Sequence, residues 1–123
     1  MLSLLKARIE INKLVREWRF WSEAIAKAAG RVLGLCEVCA FGSVVEGHVT
    51  GGSDVDLLIV ADRLPRNFGV RGNIKAEIEE AANLPLYHPF EIHLATREEA
   101  EANPIYREAL NKGMALSVPK VEK

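Results

Sequence analysis

The chain has 123 residues, 49% of them hydrophobic, enough for one domain with a core and too few for a catalytic domain with a separate substrate-recognition domain. Lys and Arg number 16 against 17 Asp and Glu, a net charge of -1, which argues against a general basic surface for gripping nucleic acid. Charges interrupt the N-terminal stretch MLSLLKARIEINKLVREW, so no signal peptide is expected, and no run approaches the ~20 apolar residues of a membrane span. The expectation is a single soluble, cytoplasmic domain over 1–123.

Along the chain, Ile11, Leu14, Trp18, Trp21, Ile25, Ala28 and Val32 recur at alternating spacings of three and four, which marks one apolar stripe on a helix. The pattern predicts one long helix or two in succession over 3–29, with Ser3 as N-cap and Gly30 as stop. Trp18 and Trp21 are expected to pack this helix onto a sheet, although a stripe this long also suits a partner surface. Residues 35–41 then read as a first strand that ends at Gly42-Ser43. A short helix or turn through 44–46 and a glycine-rich loop over 47–52 follow.

Residues 54–60 alternate as a second strand, which puts Val55, Leu57 and Ile59 on one face. Asp54, Asp56, Leu58 and Val60 share the other. The segment 61–72 carries turn formers and basic residues and is expected to be an exposed loop. Asn73 is expected to cap a helix over 74–83 that Pro85 prevents from continuing. In HPFEIHLAT, a third strand, Phe90, Ile92 and Leu94 form an apolar face and leave Glu91 and His93 on the opposite one. Thr96 with Glu99 makes a capping-box signature, Asn103-Pro104 starts a last helix, and Gly113 closes it. A short edge strand is expected within 114–118.

Cys36 and Cys39 are three apart on the first strand and point to opposite faces there, so they should not form a disulfide. No second pair or histidine cluster completes a zinc site. Two buried, reduced thiols are expected.

Two carboxylates at i and i+2 on a strand, with no adjacent Lys or Arg, are costly to pack unless a cation lies between their oxygens. Mg²⁺ suits such a pair, because it binds one or two protein carboxylates together with phosphate oxygens. The bland alternative is two solvated aspartates beside a glycine-rich turn. Ten residues before Asp54, Gly42-Ser43 offers a hydroxyl and backbone N–H groups at a strand-to-helix turn, a setting that binds phosphate.

The combination of Gly42-Ser43, ten residues, Asp54-Val55-Asp56 and a following apolar strand resembles the signature of the DNA polymerase beta-like nucleotidyltransferase superfamily. In the absence of a second domain it resembles the minimal nucleotidyltransferases. The resemblance is strongest over 41–60 and extends loosely over 35–95. It implies an α+β fold with a small mixed sheet, helices packed on one face and a long N-terminal helical segment. It also implies a third acidic residue on a later strand, for which Glu91 is the candidate. Asp54, Asp56 and Glu91 would then be the catalytic and metal-binding residues, holding Mg²⁺ in a two-metal site. Gly42, Ser43 and Ser53 would bind the triphosphate of ATP or another nucleoside triphosphate.

For short stand-alone members the resemblance further implies an acceptor surface supplied by a partner or a second subunit. Many are antitoxins that adenylylate a tyrosine on a HEPN-family ribonuclease toxin, and this is the leading expectation. The alternatives are a non-catalytic toxin-binding module and a small-molecule adenylyltransferase completed by a partner subunit. Roles for His93, His48, Arg63, Arg66, Arg71 and Lys75 stay open at this level.

Overall fold

A computed structural model describes residues 4–48 and 54–118. Two helices, α1 (Leu4–Arg16) and α2 (Trp18–Leu33), lead into strand β1 (Glu37–Phe41). Strand β2 (Val55–Val60), helix α3 (Phe68–Ala81) and strand β3 (Phe90–Ala95) follow, then α4 (Arg97–Ala102), α5 (Pro104–Lys112) and β4 (Met114–Leu116). The strands form one mixed sheet in the order β3-β2-β1-β4. β1 runs antiparallel to both β2 and β4, and β2 is parallel to β3.

The strand alternation divides the interior. Val38, Ala40, Val55, Leu57, Ile59, Phe90, Ile92 and Leu94 pack in one buried cluster with Leu14, Trp18 and Ile25 of the N-terminal helices and Ile78 of α3. The main helical layer thus lies on one face, with Trp18 in the core as expected. The short C-terminal pair adds a smaller layer on the other face, where Ala100, Tyr106 and Ala109 meet Cys39, Leu58, Val60 and Ala95. Apolar side chains on both faces explain why β2 reads as an almost continuous apolar run after Asp56.

The N-terminal helical segment is two helices, broken at Glu17. Its stop is Gly34 rather than Gly30. Gly30 is buried inside α2, whereas Gly34 adopts φ 77° and donates its N–H to the Gly30 carbonyl. Such a left-handed terminus favours glycine. The expected cap Ser3 lies outside the described residues.

Helix α3 begins earlier than the sequence pattern suggests, at Phe68 rather than 74. Its cap is Asn67, whose side chain accepts from the Val70 N–H at 3.1 Å. The first two turns, which read as a basic loop, are held by Arg71. This side chain is 6% exposed and donates to the Pro65 carbonyl at 2.6 Å, and it pairs with Glu99 at 3.0 Å. Helices α4 and α5 match expectation, with the Thr96/Glu99 capping box formed and Pro104 at the start of α5. β4 is the short edge strand. Among the described residues no helix is long and apolar enough to cross a membrane.

Candidate active site

The site grows from register. Asp56 is the cross-strand partner of both Phe41 on β1 and Glu91 on β3. Parity puts Asp56, Glu91 and His93 on the face opposite the main helical layer. Parallel neighbours on β2 and β3 therefore bring two carboxylates together without any long loop to position them.

One oxygen of Asp56, one oxygen of Glu91 and a ring nitrogen of His93 all lie within 4.8 Å of one another. His93 Nε2 is 3.2 Å from Asp56 Oδ1 and 3.9 Å from Glu91 Oε1. The other ring nitrogen, Nδ1, is 3.2 Å from the Tyr106 hydroxyl, and the Phe41 ring lies 5.5 Å from the imidazole, centroid to centroid. Asp56 and His93 are half-buried, while the Glu91 side chain is 59% exposed and so free to reorient toward a ligand. Burial and the charges of Glu91 and Glu99 push the Tyr106 phenol above its ordinary value, so it is a neutral hydroxyl that can donate to or accept from the imidazole.

The Gly42-Ser43 turn abuts this cluster. Gly42 has φ 86°, and a β-carbon there would lie 2.9 Å from Asp56 Oδ2, so only glycine lets the backbone pass this close. The next residues make a single helical turn. The Gly42 carbonyl accepts from Glu46 N–H at 3.2 Å, the Ser43 carbonyl from His48 N–H at 2.9 Å, and the Val44 carbonyl from Gly47 N–H at 3.3 Å. With Gly47 at φ 83°, the last two bonds form a Schellman closure. The first amides of such a turn have no acceptor within it and are available to an anion. Beside the turn, a cleft of about 220 Å³ is lined by Phe41, Gly42 and Val45 and by Ile105 and Lys112 of α5.

The structure thus brings Gly42, Asp56 and Glu91 together, with Ser43 next in the turn. Asp54 is exposed immediately before β2 and does not belong to the three-residue cluster. Ser53 lies outside the described residues. Of the basic residues, Arg71 is committed to Glu99 and Pro65. Strand parity puts His93 on the face of Glu91, as found. Its partner Tyr106 carries no sequence signal, because a contact between β3 and α5 leaves no local pattern.

Residues 22–116 match the model of a family described as the nucleotidyltransferase domain. The chain belongs to this nucleotidyltransferase family. The matched span contains every strand, the Gly42-Ser43 turn and the Asp56–Glu91–His93 cluster. Among solved structures, a candidate nucleotidyltransferase from Sulfolobus solfataricus aligns at 18% identity and a TM-score of 0.52. The alignment covers 90% of this chain and 83% of that one. At that identity the likeness speaks for the nucleotidyltransferase fold alone. No curated protein sequence matches the chain. Two carboxylates and an imidazole within reach of one another are a donor set that fits a divalent cation, as a nucleotidyltransferase requires.

Proposed function

We propose that this nucleotidyltransferase domain moves a nucleoside monophosphate, AMP from ATP, onto an acceptor hydroxyl, and that the acceptor is a tyrosine of a HEPN-family ribonuclease toxin. The observation that carries the reading is the approach of the Gly42-Ser43 turn to Asp56, with Glu91 beside it. A phosphate-binding turn and paired carboxylates at one point are what transfer at an α-phosphorus needs.

Bound Mg²⁺ would neutralise charge on the phosphates and on the attacking and leaving oxygens. Asp54, Asp56 and Glu91 are the residues we assign to hold it. Ser43 and the amides of the turn steady the triphosphate, and Ser53 is assigned to the same task. Glu91, with its exposed carboxylate, accepts the proton of the incoming hydroxyl. The hydroxyl oxygen bonds to the α-phosphorus as the bond to the pyrophosphate leaving group breaks.

The acceptor assignment is supported by the sequence resemblance to minimal nucleotidyltransferases. It is also supported by α1, where Leu4, Leu5 and Ile9 are exposed and offer an apolar surface to a partner. The test is incubation with Mg²⁺, α-labelled nucleoside triphosphates and a HEPN-family protein as candidate acceptor, in parallel with Asp56→Ala. Label on a tyrosine of the partner, from wild type only, is the expected outcome. Equal labelling by Asp56→Ala, or toxin neutralisation with no transfer, would overturn the catalytic reading.

A further inference from the structure

We infer that His93 is a nitrogen ligand to the divalent cation held by Asp56 and Glu91, and that it biases the site toward Mn²⁺ and similar transition ions over Mg²⁺. The inference rests on the reading of Asp56 and Glu91 as metal ligands and adds a ligand and a selectivity to it.

Three features carry it. The first is convergence: His93 Nε2 lies 3.2 Å from one carboxylate and 3.9 Å from the other, separations typical of neighbouring ligand atoms around one ion. The second is support. Nδ1 faces the Tyr106 hydroxyl at 3.2 Å. In the tautomer with Nδ1–H donating to the Tyr106 hydroxyl, the Nε2 lone pair faces the carboxylates and is available to a cation between them. A ligating imidazole is commonly oriented in this way, by a hydrogen bond from its other nitrogen. The third is rigidity. The Phe41 and Tyr106 rings flank the imidazole with centroids at 5.5 and 5.6 Å, and Tyr106 sits in the first turn of a helix capped by Asn103.

The chemistry sets the selectivity. An all-oxygen set suits Mg²⁺, whereas imidazole nitrogen is a favoured donor for first-row transition ions. Among the described residues, His93 is the side chain whose ring nitrogen lies beside both site carboxylates.

The experiment measures Mn²⁺ and Mg²⁺ binding to the nucleotide-free protein by calorimetry, for wild type, His93→Ala, His93→Gln and Asp56→Asn. Wild type should bind Mn²⁺ at least about tenfold more tightly than Mg²⁺, and both His93 variants should lose that excess while Mg²⁺ affinity moves less than about threefold. Pulsed electron paramagnetic resonance of Mn²⁺-loaded wild type should show nitrogen hyperfine coupling, a readout that needs no variant to fold. Absence of the coupling, or equal loss of both metals in the His93 variants, overturns the inference. If Asp56→Asn binds both ions like wild type, the metal-site reading itself fails, and the two failures are told apart.

Discussion

Gly42 passes so close to Asp56 that a β-carbon on it would lie 2.9 Å from the carboxylate oxygen Oδ2, with its backbone already at φ 86°. Both restrictions act on one residue. Gly42→Ala should therefore cost about 1–3 kcal/mol of stability through backbone strain alone. Relief of the contact requires Asp56 to turn, so transfer activity should fall further than stability explains. Urea denaturation and initial transfer rates on the same samples check this: a variant that loses stability but keeps the wild-type rate per folded molecule would show that the turn does not set the carboxylate.

Asp54 and Asp56 share a strand parity but not an environment. Asp56 sits in the cluster with Glu91 and His93, and Asp54 is exposed at the entry to β2, outside it. We expect Asp56→Asn to abolish cation binding by the nucleotide-free protein. Asp54→Asn should leave that affinity within about threefold and still lower the transfer rate by at least about a hundredfold, if, as we propose, its carboxylate meets the ion only together with the triphosphate. Glu91→Gln should keep the fold, since its side chain is 59% exposed, and lose the rate. Calorimetry beside a transfer assay separates the three.

Legibility in the amino-acid sequence follows physical range. Period-two alternation decides which side chains share a face, so the pairing of Asp56 with Glu91 needs only the parallel neighbour relation of β2 and β3. The caps at Thr96 and Asn103 are local and therefore legible. The start of α3 is not: Gly69, Gly72 and Arg71 resemble a loop, and the ion pair that holds the turn comes from Glu99, 28 positions away. Gly30 looks like the stop, and only its burial inside α2, which runs on to a cap at Gly34, overrides that reading. The Tyr106 contact to His93 is likewise tertiary.

Cys39 is buried, with its thiol pushed up to about 11 by burial and then by Glu37, and its Sγ directed at the Ala109 carbonyl at 3.6 Å. Cys36, expected to be buried on the first strand, is instead half-buried and precedes β1, and burial raises its thiol as well. Alkylation requires the thiolate, so at about pH 8 native Cys39 should react about a hundredfold more slowly than in urea-unfolded chain. Mass spectrometry of iodoacetamide-treated native and unfolded protein tests it. Rapid native labelling at Cys39 would mean that α5 opens away from β1.

Arg71 and Glu99 tie the first turns of α3 to the start of α4. Arg71 is 6% exposed and holds both Glu99 and the Pro65 carbonyl, so Arg71→Met should destabilise the fold by about 1–3 kcal/mol, mainly through the Pro65 carbonyl left without its donor. Glu99 also accepts the Thr96 N–H at 2.9 Å. That bond, followed by the one from Arg71, holds its carboxyl below the ordinary glutamate value. A depressed folded-state pKa means the unfolded chain binds the proton first. The contribution is therefore fully present above the ordinary glutamate value and lost as pH falls through the lowered one. Glu99→Gln should remove that part of the acid dependence while lowering stability at neutral pH, and Arg71→Met should shrink it. Urea midpoints measured across the acid range for all three proteins give the answer. An acid limb that is identical in wild type and Glu99→Gln would place the titration on another carboxylate.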